Sequence, residues 1–170
     1  FCIRPFNSLN LKTDGSMSVC CDTRPNITEY AGKKEFNLKR DSIEEFWESG
    51  YRKYLIKNFQ EKRRPKECQK CWEKEDMGAK SQRQFANRQY KILGNKTSEE
   101  YLTLLGIKDL KHPVDYNLDI TNLCNLKCYM CTGASSSKLL VENNFLGFEN
   151  LNQKDYDYEE DKLSYLVDQI

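Results

Sequence analysis

Cys124, Cys128 and Cys131 stand in the segment Thr121-Asn-Leu-Cys-Asn-Leu-Lys-Cys-Tyr-Met-Cys131, spaced by three residues and then by two. Three thiolates on one short loop can hold three corners of a cubane iron–sulfur cluster and leave the fourth iron without a protein ligand. Clusters held by four cysteines pass electrons, whereas a metal with a vacant position does chemistry on a bound ligand. The spacing departs from the Cys-x2-Cys pairs of zinc ribbons and from the Cys-x2-Cys-x2-Cys run of ferredoxins. Two other uses stay open for these thiols: zinc binding with a fourth ligand from elsewhere, or packing as small apolar groups. The segment Val114-Asp-Tyr-Asn-Leu-Asp-Ile120 alternates apolar and polar residues, so a strand delivers the chain to the first of these cysteines.

A strand leading into Cys-x3-Cys-x2-Cys resembles the first strand and cluster loop of the radical S-adenosylmethionine (SAM) superfamily. The resemblance implies that Cys124, Cys128 and Cys131 ligate a 4Fe–4S cluster whose free iron chelates SAM. It implies reductive cleavage of SAM to a 5′-deoxyadenosyl radical that abstracts hydrogen from a substrate. Met130 occupies the place where that family usually carries an aromatic residue, and Tyr129 sits one position early.

A second set of cysteines lies towards the start of the chain. Cys2 is followed by Arg4-Pro-Phe6, then Ser8-Leu-Asn-Leu-Lys12, Thr13-Asp-Gly15 and Ser16-Met-Ser-Val-Cys20-Cys21. Asp14-Gly15 between two short alternating runs predicts a β-hairpin with a primed turn, since glycine tolerates positive φ. Leu9 and Leu11 on one arm then share a face with Met17 and Val19 on the other. The hairpin returns Cys20 to the neighbourhood of Cys2, and Cys68-Gln-Lys-Cys71 supplies a second pair. Two plus two makes a complete set of four thiolates, for which zinc is also ordinary stoichiometry.

This arrangement resembles the twitch domain, a short relative of the SPASM domain that carries auxiliary clusters in radical SAM enzymes. The resemblance implies one auxiliary cluster, of the 4Fe–4S type, on Cys2, Cys20, Cys68 and Cys71, with zinc as the alternative. Gly15 and Cys20 keep the family's spacing, a glycine followed by four residues and a cysteine; Cys21 is the spare thiol or the alternate ligand. A full SPASM domain would need more cysteines soon after Cys71, and none follow before Cys124. Such modules more often follow the catalytic barrel, although a subset of the family places the first auxiliary segment ahead of it.

The 170 residues include 27 Lys and Arg against 26 Asp and Glu, so no net field draws the chain to nucleic acid or to an acidic membrane. No apolar run reaches the length of a membrane span and no signal peptide is evident. Eight cysteines without an export signal, at metal-type spacings, point to a reducing cytoplasm and not to disulfides. A complete (β/α) barrel takes roughly 200 residues or more. The chain begins at Phe1 and has only a short tail after Cys131, so it reads as a fragment with most of the barrel missing.

The expected fold class is α+β, an auxiliary module of hairpin and helices followed by the first β/α unit of a partial TIM-type barrel. The expected divisions are 1–95 for the auxiliary module, 96–113 for a helical linker and 114–170 for the barrel start. Apolar residues at helical spacing predict a helix from Ser42 to Phe59, opened by the capping box Ser42-Ile-Glu-Glu45 and barred from continuing by Pro65. A second is expected from about Trp72 to Leu93, weakened by Gly78 and ending near Gly94-Asn95. Thr97-Ser-Glu-Glu100 opens a short third, and Glu159 to Ile170 reads as the first barrel helix on Leu163, Leu166, Val167 and Ile170. Ser135 to Ser137 and Asn143 to Tyr158 read as loops. Trp47, Phe46 and Tyr54 read as core, His112 as structural or exposed, and Lys57 to Lys66 as the solvated end of a helix. Arg83 and Arg88 could meet an anion, with no reason in the sequence to prefer that. The expected partners are a substrate, for which a peptide is one class, and an external electron donor such as flavodoxin or ferredoxin; nucleic acid and membrane are not expected.

Overall fold

The computed structural model describes residues 1–23, 35–92, 97–106, 110–158 and 160–168. Its architecture is mixed α+β: one small sheet with several short helices around it. A single turn of helix, α1 (Arg4–Asn7), leads from Cys2 into β1 (Ser8–Leu11), and β2 (Ser16–Ser18) returns antiparallel with Asn10 opposite Ser18. A two-residue strand that the sequence did not announce, β3 (Phe36–Asn37), extends the sheet beyond β2.

The hairpin turn differs from the expected primed type. A primed turn of type I′ needs positive φ at both central residues, yet of the turn residues Gly15 alone has it, at 87°. The Gly15 amide donates to the Lys12 carbonyl at 2.8 Å and the Lys12 amide to the Ser16 carbonyl at 3.0 Å. This is a three-residue connection with glycine in the left-handed position. Asn37 packs against the turn, donating through Nδ2 to the Asp14 carbonyl at 3.0 Å.

The helices are shorter than their hydrophobic periodicity suggests. The first long stretch divides into α2 (Ile43–Trp47) and α3 (Gly50–Gln60), because Ser49 caps a new start by accepting from the Arg52 amide at 3.2 Å. The capping box at Ser42 and Glu45 forms as expected. After α3 the chain turns through Lys62, at φ 57°, and a single 3₁₀ turn over Lys66–Cys68. Next comes α4 (Gln69–Asp76), which starts before Trp72 and so takes Cys71 into a helix. Gly78, at φ 75°, ends it, and Ser81 with Gln84 forms a capping box for α5 (Gln82–Gln89). Thr97 caps α6 (Ser98–Leu105), which stops at Gly106 in the left-handed conformation. The expected helix end at Gly94-Asn95 and the boundary at residue 95 lie outside the described residues.

The last strand, β4 (Asp115–Leu118), joins the same sheet beside β1 and runs parallel to it, Ser8 opposite Asp115 and Leu11 opposite Leu118. The strand order is therefore β3-β2-β1-β4, with the hairpin at its centre. Beyond β4 the structure has a helix, α7 (Ser137–Phe145), opened by Ser136; its two ends fall in stretches that the sequence reads as loops and its middle in one it leaves unassigned. The serine run supplies a helix cap, since the Ser136 hydroxyl accepts from the Leu139 amide. The final helix, α8 (Glu160–Asp168), falls within the expected span. Of its apolar residues Leu166 is buried while Val167 is 71% exposed; Ile170 lies outside the described residues.

Two cores hold these pieces. The first gathers Leu9, Leu11, Met17 and Val19 from one face of the hairpin with Phe46, Leu55 and Leu166. The second gathers Ile3, Phe6, Phe59, Ala86 and Leu102. Complete burial of side chains the size of Phe46 or Leu55 contributes about 1.5–3 kcal/mol each. The opposite face of β1 is polar but satisfied: Asn10 donates to Ser18 Oγ at 3.3 Å and accepts from Asn117 at 2.6 Å. Trp47 is core, as expected, and its indole N–H donates to the Leu110 carbonyl at 3.0 Å. Against its ring lies Arg52, 3.5 Å from the ring centre and buried, donating to the Pro5 and Trp47 carbonyls at 2.8 and 2.9 Å. Burial pulls the Arg52 pKa down to about 10. That guanidinium clamps the segment just after Cys2 onto α3.

Candidate metal centres

Cys2, Cys20, Cys68 and Cys71 reach one place from three separated stretches of chain, and all four line a single cavity. The space between its atoms, mouth included, is about 350 Å³. It lies on the seam between the two cores: Cys2 belongs to the second, Cys20 packs on the first and Cys68 touches both. The topology explains the convergence. Cys2 precedes β1 and Cys20 follows β2, and because those strands are antiparallel both cysteines emerge at the same end of the sheet. Cys68 and Cys71 arrive on the 3₁₀ turn and first turn of α4.

The surroundings disfavour free thiolates. Burial pushes the Cys2 thiol up to about 11, and it raises Cys68 further, with Cys2 and Cys71 adding to the effect. The hydrogen bond to Cys21, followed by burial, holds Cys20 protonated, and the same bond lowers Cys21 to about 6. A cation would reverse this balance for Cys2, Cys20 and Cys68, because each proton lost then gains a metal bond. Cys20 faces the cavity, while Cys21 is exposed and not part of its wall. Among the described residues, no three Cys, His, Asp or Glu side chains converge on the position of one ion. The thiols surround a space instead.

Arg4 and Arg83 also line the cavity. Arg4 pairs with Asp115 of β4 at 2.9 Å, and Ser8 donates to the same carboxylate at 3.2 Å. Arg83 holds Glu75 through Nε at 2.9 Å and through Nη2, and donates from Nη1 to the Phe1 carbonyl at 2.7 Å. Burial raises the Glu75 carboxyl, but the bonds from Arg83 and Ser81 and the Arg83 charge outweigh it and leave a net lowering. The sequence marks Arg83 only as a residue that could meet an anion and assigns no role to Arg4, Arg52 or Asp115. Their signal is in the fold, which brings Arg4 and Asp115, 111 positions apart, into contact.

Cys124, Cys128 and Cys131 occupy one loop after β4, half-buried, exposed and half-buried in turn. The Cys131 amide donates to the Cys128 carbonyl at 2.9 Å, which curls the last two cysteines into a turn. The start of α7 pins the rest: Ser136 Oγ donates to the Leu126 carbonyl at 2.8 Å, and the Cys124 amide donates to Ser137 Oγ at 3.3 Å. Asn122, buried, donates to the Gly133 carbonyl at 3.2 Å and accepts from the Ser137 amide at 2.7 Å. Since β4 runs parallel to β1, this loop leaves the end of the sheet opposite to Cys2 and Cys20. At that end the Thr13 hydroxyl of the hairpin turn donates to the Ala134 carbonyl at 2.9 Å. His112 is exposed, and among the described residues no helix is long and apolar enough to cross a membrane.

Comparison with curated proteins and with solved structures returns no match. Comparison with protein families returns one: residues 2–72 match the SPASM iron–sulfur cluster-binding domain, a span that takes in Cys2, Cys20, Cys21, Cys68 and Cys71 and stops short of the second loop.

Proposed function

We propose that this chain is part of a radical SAM enzyme with two iron–sulfur sites. An auxiliary cluster sits on Cys2, Cys20, Cys68 and Cys71, and the SAM-binding cluster on Cys124, Cys128 and Cys131. The observation that carries the reading is the single cavity lined by four cysteines from separated segments, within the stretch similar to an iron–sulfur domain. Zinc on the same four thiols is the alternative reading, which metal content and colour decide. The second site rests on the Cys-x3-Cys-x2-Cys spacing, on the strand before it and on the pinned loop.

When bound, the three-cysteine cluster supplies the electron that splits SAM and so starts hydrogen abstraction from a substrate. The chain's own residues do the positioning. Asn122, Ser136 and Ser137 fix the loop backbone, and exposed Cys128 leaves it open for a ligand. Arg52, Arg83 and the hairpin fix the auxiliary wall, where four protein thiols leave no vacant iron. In this reading residues 1–95 form the auxiliary module, 96–113 a linker and 114–170 the start of the barrel, working in a reducing cytoplasm. A peptide is the proposed substrate class, and a flavodoxin or ferredoxin the proposed donor.

Anaerobic reconstitution with iron and sulfide tests this. The protein should turn brown, with the broad visible absorbance of thiolate-to-iron charge transfer, and hold no zinc. Alanine at Cys124, Cys128 or Cys131 should halve the iron, and so should alanine at Cys68 or Cys71. Full iron in the first three variants would remove the second site; colourless, zinc-loaded wild type would remove both.

A further inference from the structure

We propose that Arg4 and Arg83 set the reduction potential of the auxiliary site, each as half of a fixed ion pair with its positive end towards the cavity. The inference rests on the reading that Cys2, Cys20, Cys68 and Cys71 hold a cluster. Both arginines line the cavity, and their partners Asp115 and Glu75 do not; the Arg83 charge acts on Cys2 and Cys68, and the Arg4 charge on the adjoining Cys21. Each arginine side chain is largely covered, 20% exposed for Arg4 and 18% for Arg83. Neither can swing out to water at low cost. Arg4 is held by Asp115 at 2.9 Å and Ser8 at 3.4 Å. Arg83 is held by Glu75 and the Phe1 carbonyl, and it lies over the Trp72 ring at 4.9 Å from its centre. The wall carboxylate, Asp22, is offset by Lys74 at 3.5 Å and Lys70 at 3.9 Å.

The sign follows from charge. One-electron reduction by an external reductant adds one negative charge to the cluster and leaves its four thiolate bonds in place. Fixed positive charge in a poorly hydrated wall favours the form with the extra electron, and the carboxylates behind oppose it. The two pairs therefore bias the site towards holding an electron. Removing an arginine charge lowers the potential; removing a carboxylate charge raises it. A purely structural role for the pairs predicts something else, since losing either partner loosens the same wall and moves the potential in one direction.

The test uses the full 170-residue chain with Cys124, Cys128 and Cys131 replaced by alanine, so that the auxiliary site alone loads. Iron content and visible absorbance establish the cluster first, and its failure to load would overturn the function reading and this inference together. Potentiometric titration with dithionite then compares variants in that background. Arg83→Gln and Arg4→Gln should each lower the one-electron reduction equilibrium about tenfold, ~59 mV. Glu75→Gln and Asp115→Asn should raise the potential, and Arg83→Lys should restore most of the loss. Shifts of the same sign for arginine and carboxylate variants, or none, overturn the inference while leaving the cluster in place. Should Arg83→Gln and Arg4→Gln fail to load iron, an unchanged or lowered potential in Glu75→Gln and Asp115→Asn overturns it equally.

Discussion

Replacing Gly15 by alanine should cost far more than the same change at Gly106, although both glycines have positive φ. Gly15 sits at φ 87° and Gly106 at 66°, so each alanine pays about 1–2 kcal/mol for the left-handed backbone. The surroundings differ. A Cβ on Gly15 would lie 2.5 Å from Asn37 Oδ1, whereas one on Gly106 meets nothing within 4 Å. Asn37 cannot give way cheaply: its Oδ1 accepts from the Lys39 amide at 3.0 Å and its Nδ2 donates to the Asp14 carbonyl at 3.0 Å. Losing both bonds adds about 2 kcal/mol. Gly15→Ala should therefore destabilise by about 3–4 kcal/mol and Gly106→Ala by about 1–2. For a chain of this size that separates the two melting temperatures by about 4–8 °C. Thermal unfolding followed by circular dichroism reads it, and adding Asn37→Ala to Gly15→Ala should cost little more than Gly15→Ala alone, since both Asn37 bonds are already lost. Equal shifts for the two alanines would refute the claim that Asn37 closes the turn.

Three further outcomes are expected. Arg52→Lys keeps a charge but not the planar fork, so it should lose about 2 kcal/mol by urea unfolding, with fluorescence of Trp47 shifting as its stacked partner leaves. Tyr158, which donates to the Lys12 carbonyl at 3.3 Å, is pushed up to about 12 by burial. An acid with a raised folded pKa gives stability that is complete below its unfolded value and is lost as pH rises between the two. Stability should thus fall from about pH 10 to 12; Tyr158→Phe should flatten that part of the urea-midpoint profile. Cys21→Ser should keep the auxiliary iron and its reduced-state EPR signal and Cys20→Ser should lose them, the reverse result reassigning the ligand.

Local features were legible because local chemistry fixes them. The alternation of Leu9, Leu11, Met17 and Val19 marks the hairpin face, and Ser42, Thr97 and their glutamates mark helix starts. The breaks at Ser49 and Ser81 were harder, since apolar residues on both sides keep helical spacing while a serine cap restarts the helix. The same cause hid the start of α7 in the Ser135 to Ser137 stretch that reads as a loop. Strand pairing left no local trace. Nothing in Asp115–Leu118 names Ser8–Leu11 as its neighbour, so Arg4 and Asp115 could not be joined from sequence. The cysteine sets were visible by spacing, but their meeting in one cavity depends on strand direction and on α3 returning over the hairpin.

The parallel pairing of β1 with β4 also imposes an order on how the molecule is made. Ser8 and Asp115 are 107 positions apart, whereas every cysteine of the auxiliary wall lies within the first 71 residues. On the ribosome the hairpin, α3 and α4 can close around that wall well before β4 has been synthesised. Until β4 arrives, one side of β1 is an open edge with unpaired amides and carbonyls, a template for strands of other chains. Long-range closure of this kind is slow, so newly made chains pass through a stage that favours aggregation. Early capture of metal by the four thiols would shorten that stage by holding the hairpin ready for its last strand.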